Sequence, residues 1–175
     1  QHTTIETHTA TAQADPISGD IHVWVPSQSP FSNRGLLAKA FRVPMEKVRI
    51  TVTEIGGGFG GKYEAKCEPI AVALSLKAKG RPVKLTYGRH EEFAATVCRS
   101  PVHMHLKTGV KRDGTITAQK VDIQWDAGAY VTTNPRVDYN AGFAANGPYK
   151  IPNAQVDGYV YMTNKTLGTA YRGFG

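Results

Sequence analysis

The most constraining stretch of this chain is Gly56-Gly57-Gly58-Phe59-Gly60-Gly61-Lys62. Apolar and β-branched residues at 48–55 predict a strand that leads into it, and the apolar spacing over 67–78 predicts a helix after it. Glycine weakens regular structure by about 0.5–1 kcal/mol relative to alanine, so this many glycines do not serve a helix or a strand. The backbone of the loop is therefore expected to lie very close to another group.

The segments on both sides of this loop mix strands with helices. A helix is predicted over 30–41, because Ser29 can act as an N-cap and Pro30 suits the first helical position. Other predicted helices are 91–95 and 136–146, and predicted strands are 6–12, 21–25, 83–87, 102–110, 115–125 and 156–162. Since the strands and helices do not alternate strictly, we expect an α+β fold with mixed, largely antiparallel sheets and packed helices in a single domain, 1–175.

Composition and charge narrow the possible partners and compartments. The chain has 175 residues with 41% hydrophobic and 20% charged side chains, which is typical of a globular protein. Its formal net charge is +7, but the basic residues are scattered, so we expect a phosphorylated cofactor or an acidic partner subunit and no nucleic acid. No apolar run is long enough for a membrane span, and two cysteines do not form a disulfide scaffold. A cytoplasmic protein is expected.

The glycine loop by itself admits three interpretations. Gly56, Gly58 and Gly61 satisfy the G-x-G-x-x-G dinucleotide fingerprint, but the following strand lacks the acidic residue that would bind a ribose. Gly56, Gly61 and Lys62 have the spacing of a phosphate loop, but Tyr63 stands where magnesium binding needs a hydroxyl of Ser or Thr. A tight turn without a ligand needs fewer glycines. A nucleotide- or phosphate-binding module therefore remains an alternative.

A family resemblance provides a further interpretation. The glycine loop and the closing stretch Ala170-Tyr171-Arg172-Gly173-Phe174-Gly175 resemble the molybdenum-binding subunit of the xanthine dehydrogenase, aldehyde oxidase and carbon monoxide dehydrogenase family. The spacing of three other features agrees with it: His2-x-x-x-Glu6, Ser27-Gln28 and Tyr149-Lys150-Ile151-Pro152-Asn153. The resemblance covers nearly the whole chain. It implies the N-terminal part of the molybdenum cofactor-binding region of a longer catalytic subunit.

The resemblance also implies roles for particular residues. The implied cofactor-binding residues are Gln28, Gly57, Gly58, Phe59, Gly60, Arg172 and Gly173. Gln28 and Arg172 are the implied catalytic residues: the Gln28 amide donates to an oxo ligand of the metal, and the guanidinium of Arg172 lies against the oxo or pterin region. The pterin dithiolene holds the metal in this family, and accordingly we expect no metal-ligating protein side chain. The pterin is expected either alone or as its cytosine dinucleotide.

The implied substrate pocket departs from the purine-oxidising members of the family. Phe174 offers a ring on which a planar substrate can stack, and Tyr63 and Asn140 stand where purine oxidases carry a glutamate and an arginine. Xanthine is therefore disfavoured, and Gly173 replaces the cysteine that copper-dependent carbon monoxide dehydrogenases need. An aldehyde, an N-heteroaromatic compound or an aryl thioester remains open.

The resemblance implies a reaction and several partners. The reaction is hydroxylation of a small molecule with water as the oxygen source, and its electrons pass to iron-sulfur clusters and FAD on other domains or subunits. The general-base glutamate of the family lies beyond the second loop and is not in this chain. We therefore expect the remainder of the molybdenum subunit as a further partner and no activity from this chain alone.

Overall fold

The computed structural model describes residues 1–173, and its contacts divide the chain into two compact units. The N-terminal unit comprises His2–Thr96, and the C-terminal unit comprises the residues from Val97 onward together with Gln1. The single domain expected from the sequence stays a prediction.

The N-terminal unit is a four-stranded sheet with helices packed on it. The strands are β1 (Thr9–Ala14), β2 (Ile21–Val25), β3 (Val48–Val52) and β4 (Val83–Thr86), in the order β3-β2-β1-β4. The β1 strand pairs antiparallel with β2 and with β4, whereas β2 and β3 are parallel. The helices are α1 (Pro30–Phe41), α2 (Glu68–Lys77) and α3 (Arg89–Ala95), and a 3-10 turn covers Met45–Lys47. The predicted helix at 30–41 is confirmed.

The core of this unit follows from the two-residue period of its strands. Alternate residues of β1 and β2 are buried, and they pack with Leu37 of α1 and with Ala71 and Val72 of α2. Side chains that alternate in this way bury one face of the sheet, so both helices pack on that face. This packing fixes the two ends of the glycine loop, which runs from β3 to α2.

Two strands of this unit differ from the prediction by three residues at one end, and β4 ends one residue earlier than predicted. The strand predicted over 48–55 ends at Val52, because its parallel partner β2 ends at Val25 and Pro26 has no N–H group with which to continue the ladder. The strand predicted from residue 6 begins at Thr9, because the backbone N–H of Glu6 donates to the carbonyl oxygen of Gly56 instead. Both differences arise at the glycine loop.

The C-terminal unit contains a three-stranded sheet covered by one helix. The strands β6 (Val102–Val110), β7 (Ile116–Gly128) and β8 (Ala154–Met162) lie in that order, with β6 antiparallel and β8 parallel to β7. The connection from β7 to β8 contains α4 (Asn134–Phe143), which packs near Val121, Ile123 and Trp125. Two short strands, β5 (Cys98–Arg99) and β9 (Gly168–Thr169), are parallel. The α+β prediction with mixed sheets and packed helices is confirmed.

The β6 strand differs from the sequence-based expectation. The alternation of Val102, Met104 and Leu106 with His103 and His105 is typical of a strand with one buried face, yet every residue of β6 is exposed. The strand lies at the edge of its three-stranded sheet, where only β7 pairs with it.

Candidate functional site

The glycine loop has an unusual backbone conformation at its centre. Phe59 has a φ of 54°, in the left-handed region, between Gly57 and Gly60, whose φ values are 97° and 100°. The only other described non-glycine residues with positive φ are Arg42, Lys79 and Arg172. Arg42 and Lys79 lie at the C-terminal ends of helices, where this conformation is ordinary. Phe59 and Arg172 lie in the two loops that the resemblance assigns to the cofactor, and strained backbone of this kind concentrates at functional sites.

Gln28 is attached to the glycine loop through its side-chain oxygen. The Oε1 atom of Gln28 accepts hydrogen bonds from the backbone N–H groups of Gly60 (3.0 Å) and Lys62 (3.2 Å). The Gln28 backbone N–H donates to the Lys62 carbonyl oxygen at 2.9 Å. Because a backbone N–H is only a donor, these contacts fix which end of the amide faces the loop. No described residue forms a hydrogen bond with Nε2 of Gln28. Because Gln28 is exposed, this donor is available to a ligand.

Three glycines of the loop are required by side chains of the protein itself. A Cβ atom on Gly58 would lie 2.5 Å from Oε1 of Gln28, and one on Gly56 would lie 2.4 Å from Cβ of Glu6. A Cβ atom on Gly61 would lie 2.9 Å from Cγ of His2. The sequence suggested that a cofactor excludes side chains here, whereas in the structure His2, Glu6 and Gln28 already fill the space. These side chains support the loop, and their positions require glycine at 56, 58 and 61.

Glu6 and Lys62 form one part of this support. The Oε2 atom of Glu6 accepts hydrogen bonds from Nζ of Lys62 (2.5 Å) and from the Gly56 N–H (2.9 Å). Burial raises the pKa of Glu6, but the hydrogen bonds and the charge of Lys62 outweigh it, so the net shift is downward. The Lys62 side chain is buried and paired, which removes the free cation that a phosphate loop would need.

His8 and Glu92 form the second part of the support, which the sequence did not predict. The Nδ1 atom of His8 lies 2.8 Å from Oε1 of Glu92, and Nε2 lies 3.0 Å from the Gly61 carbonyl oxygen. The Glu92 carboxylate also accepts the backbone N–H of His8 at 2.8 Å. Because a carbonyl oxygen only accepts, Nε2 of His8 donates to Gly61, and Nδ1 faces the carboxyl group of Glu92. Both side chains are buried, and the contact between His8 and the Gly61 carbonyl oxygen attaches the end of the glycine loop to this pair.

The second loop lies in the C-terminal unit and is held by an arginine that the sequence did not single out. Arg172, with a φ of 54°, has its guanidinium 5.5 Å from the centre of the Tyr171 ring. Arg99 donates to the carbonyl oxygens of Tyr171 and Gly173, and its guanidinium lies 5.4 Å from the same ring. The only signal for Arg99 in the sequence is its position in the short strand β5, which pairs with β9 just before the loop.

The other predicted site residues belong to both units of the chain. Tyr63 is half-buried directly after the glycine loop, and its N–H donates to the Gly60 carbonyl oxygen at 3.3 Å. Asn140 is half-buried on α4 of the C-terminal unit, and Gly173 follows Arg172 with open space around its Cα. Phe174 lies outside the described residues. Gln28 and the Phe59–Gly60 backbone are in contact within one unit, and the approach of Arg172 to them stays a prediction.

Asp138 is a buried acid on α4 that the sequence did not identify. It is 1% exposed, and neither carboxyl oxygen has a hydrogen-bond partner among the described residues. Burial raises the pKa of its carboxyl group to about 6. The folded protein therefore binds this proton more tightly than the unfolded chain, whose Asp pKa is about 3.9, and the charged form costs stability at neutral pH.

Asp138→Asn is therefore expected to stabilise the protein at neutral pH. Since the folded-state pKa is raised, stability rises as the pH falls from about 6 to about 4, and the advantage of the neutral variant disappears over the same range. We expect a gain of about 1–3 kcal/mol at pH 7 and none at pH 4, measured by urea unfolding at both values.

Asp113→Asn is the matched control for this pH dependence. The pKa of Asp113 is lowered by hydrogen bonds from the backbone and side chain of Thr115, so its charged form stabilises the folded state above about pH 4. Asp113→Asn is therefore expected to lower the stability at pH 7, which is the opposite of the effect expected for Asp138→Asn. An equal effect of Asp138→Asn at pH 7 and pH 4 would contradict the assignment.

No group of three or more His, Cys, Asp or Glu side chains within residues 1–173 has the geometry to hold a metal ion. None of the helices in that range combines the length and apolarity that a membrane crossing requires.

Comparison with known proteins finds a matching family and several similar proteins. The chain matches the molybdopterin cofactor-binding domain family over residues 1–175. It is 38% identical over 175 residues to a probable xanthine dehydrogenase subunit of Bacillus subtilis, covering 99% of this chain and 23% of that protein. It is also 38% identical over 157 residues to the nicotinate dehydrogenase large molybdopterin subunit of Eubacterium barkeri, covering 90% of this chain and 37% of that protein.

A solved structure has the same fold. The aldehyde oxidoreductase of Desulfovibrio gigas superimposes with a TM-score of 0.89 at 27% identity, over 99% of this chain and 19% of that enzyme. The chain thus spans between about a fifth and two fifths of these relatives. The family match over the full sequence, together with the supported glycine loop, shows that the chain belongs to the molybdopterin cofactor-binding domain family.

Proposed function

We propose that this chain forms one wall of a molybdenum-pterin site in an oxidoreductase that hydroxylates an aldehyde, an N-heteroaromatic compound or a related aryl substrate with water as the oxygen source. The observation that carries the proposal is the Gln28 amide, whose oxygen is held by two backbone N–H groups and whose nitrogen is left to donate. A donor that is oriented before the ligand arrives stabilises developing charge without reorganising during the reaction.

The residues of the N-terminal unit fit such a cofactor. Gln28 and the backbone at Gly57, Phe59 and Gly60 form a partly exposed surface with little side-chain bulk except for the Phe59 ring. We propose that these residues hold the bound group and that Nε2 of Gln28 donates a hydrogen bond to one of its oxygens. When bound, the cofactor would supply the two-electron redox chemistry, which the side chains of this chain do not provide.

Arg172 and Gly173 are proposed to complete the site from the second loop. The contact of Arg172 with the Tyr171 ring and the two hydrogen bonds from Arg99 restrict the positions that this loop can adopt. An arginine held in this way can present its donor fork to the oxygens of a bound anionic group. Tyr63, Asn140 and Phe174 are proposed to contact the substrate, and the neutral pair Tyr63 and Asn140 favours an uncharged or weakly polar ring.

The partners follow from the reaction proposed. Two electrons must leave the site, and we propose that iron-sulfur and flavin domains or subunits accept them, in a cytoplasmic enzyme that also supplies the rest of the molybdenum subunit. The relatives include a nicotinate dehydrogenase large molybdopterin subunit and an aldehyde oxidoreductase, which supports both proposed substrate classes. The general base would come from outside this chain, so the chain alone is proposed to be inactive.

The alternative function, a nucleotide- or phosphate-binding module, is less well supported by the geometry. The ammonium of Lys62 is buried against Glu6, and α2 begins at Glu68, six residues after the lysine. A phosphate loop instead leads directly into the N-terminus of its helix and leaves the lysine free for the phosphates.

The proposal is tested in the assembled enzyme produced in a host that makes the molybdenum cofactor. Gln28→Ala is expected to lower turnover about 10²–10³-fold while molybdenum and pterin phosphorus stay near their normal stoichiometry, because one preorganised donor is lost and not the whole binding surface. Gln13→Ala removes an exposed glutamine of β1 and serves as the control. The proposal fails if the unmodified enzyme contains no molybdenum, or if both variants retain full turnover.

A further inference from the structure

The C-terminal unit contains a cavity that the proposed function does not use. It has a volume of about 520 Å³ and lies between α4 and the strands β7 and β8. Its lining includes the aromatic residues Trp125, Tyr139 and Phe143 and the polar residues Asp138 and Asn146. A mostly apolar cavity of this size with a few polar groups is typical of a site for a small organic ligand.

Three buried oxygen atoms beside this cavity lack a hydrogen-bond donor among the described residues. Both carboxyl oxygens of Asp138 and Oδ1 of Asn146 are buried and have no hydrogen-bond partner among the described residues. A buried acceptor without a donor loses the hydrogen bonds that water would supply, so native proteins rarely keep several such acceptors together. A ligand with several N–H donors would satisfy them.

No positively charged side chain described in the same unit neutralises the Asp138 carboxylate. Arg99 borders a second cavity of about 250 Å³, which Asp138 also lines. However, the Arg99 guanidinium donates to the carbonyl oxygens of Tyr171 and Gly173. Within the described residues, no ion pair to Asp138 is formed.

The remaining walls suit a flat, apolar body. Tyr139 and Phe143 are 71% and 83% exposed at the mouth, and Trp125 lies deeper with 7% exposure. Gly142 and Gly158 both line the cavity and lie against the Trp125 ring, since a Cβ on Gly158 would be 2.9 Å from Cζ3. Because these two glycines carry no side chain, the Trp125 ring borders the cavity directly. The faces of aromatic rings attract cations.

We propose that this cavity binds a planar cationic donor group, an amidinium or a guanidinium on an apolar body, with Asp138 as its counter-ion. The N–H groups of such a cation can form two parallel hydrogen bonds with one carboxylate, while its flat body stacks on the aromatic wall. The cation belongs either to a free small molecule or to an arginine side chain of another polypeptide segment. The proposal does not depend on the molybdenum site.

The test uses benzamidine as the probe, with benzamide as its neutral analogue of the same shape. Trp24→Phe leaves Trp125 as the only tryptophan of the chain, so its fluorescence reports on the cavity. We expect saturable quenching by benzamidine at pH 7 and about tenfold weaker binding of benzamide. Asp138→Asn is expected to abolish the difference between the two probes.

A second variant keeps the test valid if the acid also affects folding. Gly142→Ala places a Cβ 3.6 Å from Cη2 of Trp125, an ordinary contact inside a helix, and narrows the cavity without disturbing the fold. We expect it to weaken benzamidine binding. Equal affinity for the two probes, or no effect of Asp138→Asn on benzamidine binding, would overturn the proposal.

Calorimetric titration of benzamidine into the chain and into the assembled enzyme distinguishes the two sources of the cation, because Trp125 is an isolated fluorescent reporter only in the chain. Binding to both the chain and the assembled enzyme identifies a site for a free ligand. Binding to the chain alone identifies an arginine side chain that occupies the cavity after assembly. Absence of binding to either rejects the proposed site.

Discussion

Glu92→Ala is expected to lower the free energy of unfolding of this protein by about 3–5 kcal/mol, because it leaves the buried imidazole of His8 without its partner. The carboxylate contacts Nδ1 of His8 and also accepts the His8 backbone N–H, so one truncation removes two hydrogen bonds at a position with no access to water. Urea unfolding followed by circular dichroism measures the loss as a shift of the midpoint.

The control for this prediction is Glu46→Ala, which removes an exposed acid of the same unit. Its effect is expected to stay within about 0.5 kcal/mol. His8→Ala combined with Glu92→Ala is expected to cost less than the sum of the single variants, because the double variant leaves neither a buried imidazole nor a buried carboxylate without its partner. A loss below about 1 kcal/mol for Glu92→Ala alone would show that the pair does not hold the loop.

The sequence predicted the elements around the site well where local signals decide them. The apolar spacing and Pro30 located α1, whereas the Ser29 side chain forms no capping hydrogen bond. An Asp-Gly pair is typical of a hairpin turn, and the turn between β6 and β7 contains Asp113-Gly114. The pairing of β2 with β3 and of β7 with β8, both parallel, could not be predicted, because the partners of a strand are set by packing between distant segments. The end of β3 at Val52 depends in the same way on where β2 stops.

The sequence predicted which residue types form the candidate site, but it did not predict the side chains that support the glycine loop. The five glycines and the spacing to Gln28 indicated a backbone in close contact, and the structure shows that contact through Oε1 of Gln28. His8 and Glu92 lie 84 positions apart, so no short motif could connect them to Gly61. Asp138 carried no signal at all, since its unpaired state depends on the burial of α4 against its sheet.

Gly58→Ala is expected to lower turnover of the assembled enzyme about 10²-fold, because the added methyl group displaces the Gln28 amide. The ideal Cβ position lies 2.5 Å from Oε1, 2.6 Å from Cδ and 3.0 Å from Cγ of Gln28, and such overlaps require the side chain to move. The φ of Gly58 is not in the left-handed region, so the backbone itself tolerates alanine and the effect is purely steric. Overpacking of this kind typically costs about 1–3 kcal/mol of stability.

A double variant separates this steric effect from the role of the amide. Gln28→Ala removes the three atoms that Gly58→Ala would strike, so the combination is expected to recover most of the stability that the single alanine loses. Turnover is not expected to recover, because the oriented Nε2 donor is absent from both. Gly35→Ala is the matched control, since its Cβ meets only Cε of Met45 at 3.5 Å inside α1. If the double variant regained turnover together with stability, the amide of Gln28 would have only a structural role, and catalysis would have to depend on the loop backbone alone.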